Sequence, residues 1–312
     1  MTEITRRAAL AAGAGLALAP AIGAAQGTPE GVHRIRVGAL EVFVIHDGFN
    51  VRADATQGFV VNAQPAEVGA ALQAGGIAGT ALQNPYNVTV LRTPQGLVMF
   101  DAGTGGIAGP ESGKAPERMR AAGLDPAQVV LIVQTHFHGD HISGLATNEG
   151  VANFPNARIM VPEREWAFWT DAGEESRAAP GRRPGFAMVR QRFAAYQGKV
   201  TPYAAGAQVA PGVTAVPTPG HSPGHTSLLI ADGAEQIMVI GDAVHAPALF
   251  MANPQWYPIF DMDPTQAVET RKGLLDRLAT DRIQIIGYHF PMPATGRVER
   301  AGTGYRLVPS NA

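Results

Sequence analysis

The sequence contains no cysteine, which excludes disulfide bonds, thiolate metal ligands and cysteine nucleophiles. Any metal site must therefore use nitrogen and oxygen ligands. An excess of charge is lacking as well: 24 Lys and Arg are balanced by 26 Asp and Glu, so no basic field for nucleic acid is expected. No apolar run approaches the roughly 20 residues needed to cross a bilayer, so we predict no stable membrane insertion.

Residues 1–25 have the pattern of an export signal. Arg6 and Arg7 precede an apolar segment that ends at Pro20, and small residues lie around Ala25. A twin arginine before a short apolar core and a small-residue cleavage site is typical of a Tat-type signal peptide. We therefore predict cleavage near Ala25 and a periplasmic or secreted mature protein. The alternative is an ordinary flexible N-terminus.

The rest of the chain, residues 26–312, is predicted to form one large α/β domain. Hydrophobic residues make up 46% of the sequence and charged residues 16%, which is enough for a substantial core. Short apolar runs alternate with helical patterns. The predicted strands are residues 35–37, 40–46, 88–92, 97–101, 129–133, 158–161, 213–217, 227–231, 237–240 and 283–287. The predicted helices are residues 116–122, 162–170, 186–196 and 264–279.

Two segments lack a clear pattern. Residues 47–86 are predicted as an extended loop with a short helix at 65–72. For this segment a lid over the site, a subunit contact and a disordered connector are the alternatives. Residues 171–185 are charged and rich in Pro and Gly, and are predicted as an exposed excursion.

The segment LIVQTHFHGDHISG, residues 131–144, is the most informative part of the sequence. A short apolar strand ends there in His136, His138, Asp140 and His141. Residues two apart at the end of a strand can point the same way, so His136 and His138 can share one ion. Asp140 and His141 point elsewhere, which suits a second ion close to the first.

Four further segments also place Asp or His at the end of a predicted strand: FDAGTG at 100–105, TPGHSPGH at 218–225, GDAVH at 241–245, and GYHFPMPATGRV from 287. With the histidine motif, their order resembles the metallo-β-lactamase fold superfamily. Within it the chain is most similar to the methyl parathion hydrolase and quorum-quenching lactonase branches. The resemblance implies a single-domain, four-layer αβ/βα sandwich with the site at one edge.

The resemblance also implies a complete set of ligands for two metal ions. One ion is expected at His136, His138 and His221, and the other at Asp140, His141 and His289, with Asp242 shared between them. His225 is expected to be structural. Asp101 is expected to orient the histidine loop, since an aspartate at the end of a buried strand must be hydrogen bonded. Zinc is the default metal for His and Asp ligands, although Mn, Fe and Co fit the same atoms.

Such a site is typical of hydrolases. Two ions lower the pKa of a shared water, which provides a bridging hydroxide near neutral pH, and they polarise the oxygen of the bond under attack. We therefore predict a metal-dependent hydrolase of lactones or aryl esters, with phosphotriester cleavage as a side activity. Asp140 is a candidate for proton transfer to the leaving group. An organophosphate hydrolase and an iron-dependent oxygenase on the same fold are the alternatives.

His245, three residues after Asp242, is a second candidate catalytic residue. A neutral imidazole there could donate a hydrogen bond to the carbonyl oxygen or protonate a leaving alkoxide. The alternative is a histidine packed beneath the loop around Pro247 and Pro254.

Aromatic residues are expected to form the pocket wall and to favour a small, neutral and partly apolar substrate. The loop FMANPQWYPIF at 250–260 fits either such a wall or the interface of a homodimer. The aromatic candidates are Phe137, Trp166, Trp169, Phe250, Trp256, Tyr257 and Phe260.

The export prediction is tested by blocking the twin-arginine pathway in a bacterium that expresses the full chain. The protein should then stay in the cytoplasm with residues 1–25 uncleaved, as seen by cell fractionation and mass spectrometry. Unchanged export would contradict the prediction.

Overall fold

The computed structural model describes residues 29–310, so the predicted export signal at residues 1–25 lies outside the described part of the chain. Two seven-stranded sheets form the framework. The first contains, in spatial order, β1 (Val32–Val37), β2 (Leu40–Arg52), β3 (Leu82–Thr93), β4 (Gly96–Phe100), β5 (Val129–Val133), β6 (Arg158–Pro162) and β7 (Val200–Tyr203). The second contains, in reverse spatial order, β8 (Gln208–Ala210), β9 (Val213–Pro217), β10 (Thr226–Asp232), β11 (Glu235–Val239), β12 (Gln284–Ile286), β13 (Thr295–Ala301) and β14 (Gly304–Pro309).

Helices connect the strands and cover the sheets. They are α1 (Pro65–Ala74), α2 (Ala115–Ala121), α3 (Gly139–Ile142), α4 (Glu163–Thr170), α5 (Ala172–Arg177), α6 (Arg183–Ala194), α7 (Pro247–Phe250) and α8 (Pro264–Asp281). Within residues 29–310, none of the helices is both long and apolar enough to span a membrane.

Both faces of the first sheet are buried, because alternate residues of its strands enter different cores. On β2, Val44 packs into the core between the sheets, whereas Phe43 and Ile45 pack into a second core with residues of α2, α4 and α6. Leu275 and Leu278 of α8 belong to the same core cluster as Val44, together with Ile285 of the second sheet. This layering of helices, sheet, sheet and helices confirms the predicted α/β sandwich.

The predicted loop at residues 47–86 is wrong at both ends. β2 continues to Arg52 and β3 begins at Leu82, and the two pair antiparallel through Asn50 and Asn84 beyond a bulge near Gly48. Polar residues and glycine hide this strand pair from a pattern search, since cross-strand pairing rather than propensity holds it together. The short helix is confirmed as α1.

The predicted excursion at residues 171–185 also contains helical structure. The carboxylate of Asp171 caps α5 by accepting the backbone N–H of Glu174 at 2.7 Å. Glu175 then pairs with Arg190 on α6, which docks the short helix onto the longer one. A capping signal was present in the sequence but was masked by the surrounding charge, Pro and Gly.

The histidine motif is fixed against the preceding strand end by a close backbone approach. Gly144 donates its N–H to the carbonyl of Gly103 at 2.9 Å. A Cβ atom at Gly144 would lie 1.9 Å from the carbonyl oxygen of Ala102. Only glycine fits there without a shift of the backbone.

Gly144→Ala should therefore lower the free energy of unfolding by about 2–3 kcal/mol through overpacking. Gly181→Ala is the matched control, because a Cβ there meets no atom within 4 Å and neither glycine has a positive φ. Urea unfolding of both variants measures the difference. Equal stabilities would show that the loop adjusts freely.

Candidate metal centre and pocket

All seven side chains predicted as metal ligands come together at one edge of the sandwich. His136, His138, His221 and Asp242 form one group, in which one ligand atom from each residue lies within 4.8 Å of the others. His138 Nδ1 is 3.1 Å from His136 Nε2 and 2.7 Å from His221 Nε2. Three imidazole nitrogens thus point at one position.

Asp140, His141 and His289 form a second such group. Asp242 lies between the two groups: its Oδ1 is 3.2 Å from His141 Nε2, and its Oδ2 is 3.2 Å from His221 Nε2 and 3.1 Å from His289 Nε2. The two oxygens of one carboxylate therefore reach histidines of both groups, as a ligand shared by two cations requires.

The donors fit divalent cations. His141 Nε2 and Asp242 Oδ1 are buried, and although they lie 3.2 Å apart, neither has a partner in hydrogen-bonding geometry among the described residues. Leaving buried polar atoms unpaired is costly, and these two lie inside the converging ligand set, where a bound cation would satisfy both. Nitrogen and carboxylate oxygen in a converging set are suitable ligands for zinc and for Mn, Fe or Co.

Hydrogen bonds on the far side of the rings fix their orientation. Nδ1 of His141 is 2.8 Å from Asp101 Oδ2, and Nδ1 of His289 is 2.9 Å from the carbonyl oxygen of Pro85. Asp101 also accepts the backbone N–H and the hydroxyl of Thr135, at 2.7 and 2.8 Å. This agrees with the orienting role expected for Asp101, and it leaves Nε2 of each ring facing the centre.

His225 is structural, as the sequence indicated. Its Nε2 accepts the backbone N–H of Asp242 at 2.9 Å, and its Nδ1 lies 3.1 Å from the carbonyl oxygen of Thr218. Burial, together with His221, lowers the pKa of His225 to about 3, so its ring is neutral. His225 thereby fixes the backbone at the shared carboxylate rather than facing the ligand cluster.

Asp261 and Arg271 support His221 and were missed by the sequence analysis. Asp261 Oδ1 lies 2.9 Å from His221 Nδ1, and Arg271 Nη2 donates to Asp261 Oδ2 at 2.9 Å. Burial raises the pKa of Asp261, but His221 and Arg271 outweigh it and hold the pKa below its ordinary value. The available signal was Arg271 itself, a charged residue on the buried face of α8 with Ala267 and Leu275.

His245 faces the cluster instead of packing away from it. Its Nε2 is 3.2 Å from Asp242 Oδ2, and its ring stacks on that of His289 at 5.0 Å between centroids. Burial lowers the pKa of His245 to about 4. The ring also joins two further ligand-like groups, one with His221 and Asp261 and one with Asp242 and His289.

A cavity of about 710 Å³ opens over the cluster. Of the seven predicted wall aromatics, only Trp169 and Phe260 line it. Phe137 is buried on the opposite side of the motif from the histidines, 4.8 Å from Phe193 between ring centroids. Ile259 of the predicted wall loop also lines the cavity. The sequence analysis missed other lining residues, because they lie in segments predicted as loops or are not aromatic: Asn50, Asn84, Tyr86, Arg182 and Met262.

The contribution of Asp261 to stability should be measurable in protein from which a chelator has removed any metal. Asp261→Asn should lower the free energy of unfolding by about 3 kcal/mol, because the buried guanidinium of Arg271 loses its charged partner. Asp263→Asn is the control: that residue caps α8 at the surface, and asparagine caps equally well. Equal urea midpoints for the two variants would contradict a supporting role.

Comparison with solved structures finds similarity along nearly the whole chain. The structure of AidC, described as a dizinc quorum-quenching lactonase in complex with a product, has a TM-score of 0.83 and 26% identity over 90% of this chain and 98% of that one. AbOPH, described as a hydrolase in the beta lactamase superfamily, has a TM-score of 0.84 and 27% identity with the same coverage.

Curated relatives are similar over a shorter span. The N-acyl homoserine lactonase AttM of Azorhizobium caulinodans is 30% identical over 188 residues, 56% of this chain and 63% of that protein. The "Probable metallo-hydrolase YflN" of Bacillus subtilis is 28% identical over 181 residues, 54% of this chain and 64% of that protein. The matches thus span less than two thirds of either relative. The family model for the metallo-beta-lactamase superfamily matches residues 82–286, and the chain belongs to this superfamily.

Proposed function

We propose that the protein is a binuclear metal-dependent hydrolase that cleaves lactones or carboxylic esters. One observation carries the proposal: two groups of nitrogen and oxygen ligands share the carboxylate of Asp242 beneath an open cavity. When bound, two divalent ions supply a hydroxide nucleophile near neutral pH and polarise the carbonyl oxygen. We propose zinc as the metal, since AidC is described as dizinc and the donors are of the kind zinc prefers.

Two residues of the chain are assigned to proton movement. Asp140 is partly exposed to the cavity, and Tyr288 donates its hydroxyl hydrogen to the Asp140 carbonyl at 2.6 Å, which holds the backbone in place. The Asp140 carboxylate can take up the proton that the attacking water loses and pass it to the leaving alkoxide. His245 is neutral and lines the cavity beside Asp242, where it can donate a hydrogen bond to the substrate oxygen.

The cavity favours a small, neutral and partly apolar substrate. Trp169, Phe260 and Ile259 provide apolar surface, while the carboxamides of Asn50 and Asn84 provide neutral hydrogen-bonding groups. Such a lining suits the acyl and ring portions of a lactone. The similarity to AttM, an N-acyl homoserine lactonase, supports the same substrate class.

Phosphotriester cleavage is the second candidate activity. Such a substrate is also uncharged, and an aryl leaving group fits against the indole of Trp169. Export to the periplasm through residues 1–25 remains part of the proposal and rests on the sequence pattern alone. Formation of a homodimer stays a prediction.

The first test compares kcat/KM of zinc-loaded protein on an acyl-homoserine lactone, an aryl acetate and a dimethyl aryl phosphotriester. The lactone or the acetate should lead by about 100-fold, equivalent to about 2.7 kcal/mol of transition-state preference. Chelation should abolish turnover, and added zinc should restore it. A leading phosphotriester would make that reaction the main activity. Iron-dependent oxygen consumption without hydrolysis would overturn the proposal.

His245→Ala should lower kcat about 10–100-fold while both metals stay bound and KM changes little, because only a hydrogen-bond donor or proton donor is removed. His33→Ala on the edge strand β1 is the control and should keep wild-type kinetics. Steady-state kinetics with metal analysis of the same samples measures both quantities. An unchanged kcat would remove His245 from the reaction.

A further inference from the structure

Glu165 is a buried carboxylate that the chemistry above does not use. It lies on α4 with 0% of its surface exposed. Within residues 29–310 no Lys, Arg or His side chain forms an ion pair with it, and burial raises its pKa. Burial of a carboxylate without a cationic partner is unfavourable, so its presence calls for a specific role.

Both oxygens of Glu165 are used, and each accepts two hydrogen bonds. Oε1 accepts the backbone N–H of Phe137 at 3.1 Å and the indole N–H of Trp169 at 2.7 Å. Oε2 accepts the hydroxyl of Ser222 at 2.8 Å and the backbone N–H of Gly224 at 2.7 Å. Four donors from three segments therefore meet at one side chain.

Three of the four donors belong to the two loops that carry the first ligand group, and the fourth, the indole of Trp169, lies on α4 itself. Phe137 lies between His136 and His138, while Ser222 and Gly224 directly follow His221. The second loop approaches α4 closely: a Cβ atom at Gly224 would lie 2.2 Å from the backbone nitrogen of Glu165. Glu165 is thus the shared anchor of segments that are far apart in sequence.

We propose that Glu165 is a positioning residue that sets the distance between the His136–His138 loop and the His221 loop, and thereby the affinity for the first metal ion. The second group has different supports, with Asp101 on His141 and the carbonyl of Pro85 on His289. Apart from the shared Asp242, the two ligand groups are therefore held in place by different residues. This inference rests on the metal binding contained in the proposed function.

The same carboxylate fixes one wall of the cavity. Trp169 lines the cavity, and its indole N–H is held by Oε1 of Glu165. The ring also packs against Phe186 at 4.8 Å between centroids. Glu165 therefore links the spacing of the metal ligands to the position of the substrate wall.

Glu165→Gln tests the proposal. Glutamine keeps the size of the side chain but replaces one acceptor oxygen with an amide NH₂, which would face two N–H or O–H donors. Zinc titration against a chromophoric chelator should show that one of the two zinc equivalents binds about 10–100-fold more weakly, while the other is unchanged. Glu163→Gln is the matched control, because that residue is exposed on the same helix.

Three outcomes distinguish the possibilities. If wild-type protein binds no zinc, the proposed function fails. If wild type binds two equivalents and Glu165→Gln binds both as tightly as Glu163→Gln, the positioning role alone is overturned, even if the variant melts at a lower temperature. If Glu165→Gln does not fold, Ser222→Ala decides: it removes one donor and should weaken the same equivalent about 3–10-fold, whereas unchanged affinity would overturn the proposal.

Discussion

The rest of the site depends on the contacts that the carboxylate of Asp242 makes with both ligand groups. Asp242 lies just after β11, and its two oxygens reach histidines of both ligand groups. Its backbone N–H is held by His225, whose ring is kept neutral by burial. If this one side chain moved, both groups would lose a ligand together. The hydrogen bond to His225 therefore fixes the backbone after β11, in addition to the hydrogen bonds that orient the histidine ligands.

The support for the site is built as a second ring of carboxylates and carbonyls behind the imidazoles. Asp101, Asp261 and Glu165 each contact a different part of the ligand set, and each also binds a second element of the fold. A histidine held in this way is prepared for an ion before the ion arrives, so less ordering is required on binding. The arrangement favours precise geometry over the stability that apolar residues would give at the same positions.

The sequence predicts those parts of the molecule whose signal is local. The histidine motif and the strand ends before Asp242 and His289 are all predicted from neighbouring residues. Asp261 and Glu165 could not be found in this way, because their hydrogen-bond partners lie far along the chain. In the local sequence, a buried carboxylate of a helix or loop cannot be distinguished from an exposed one. Arg271 was also missed, but the sequence carried a signal for it, because it lies among the leucines of the buried face of α8. The β2–β3 extension was missed for a related reason: pairing, not composition, holds it.

The two ligand groups draw on both sheets. His136, His138, Asp140 and His141 follow β5 in the first sheet, whereas His221, Asp242 and His289 follow strands of the second. A bound ion is therefore a cross-link between the two halves of the sandwich, and it can hold tightly only when they are docked. Loss of metal should then report separation of the two sheets. A chain whose sheets separate would release its ions, even while each sheet kept its own backbone hydrogen bonds.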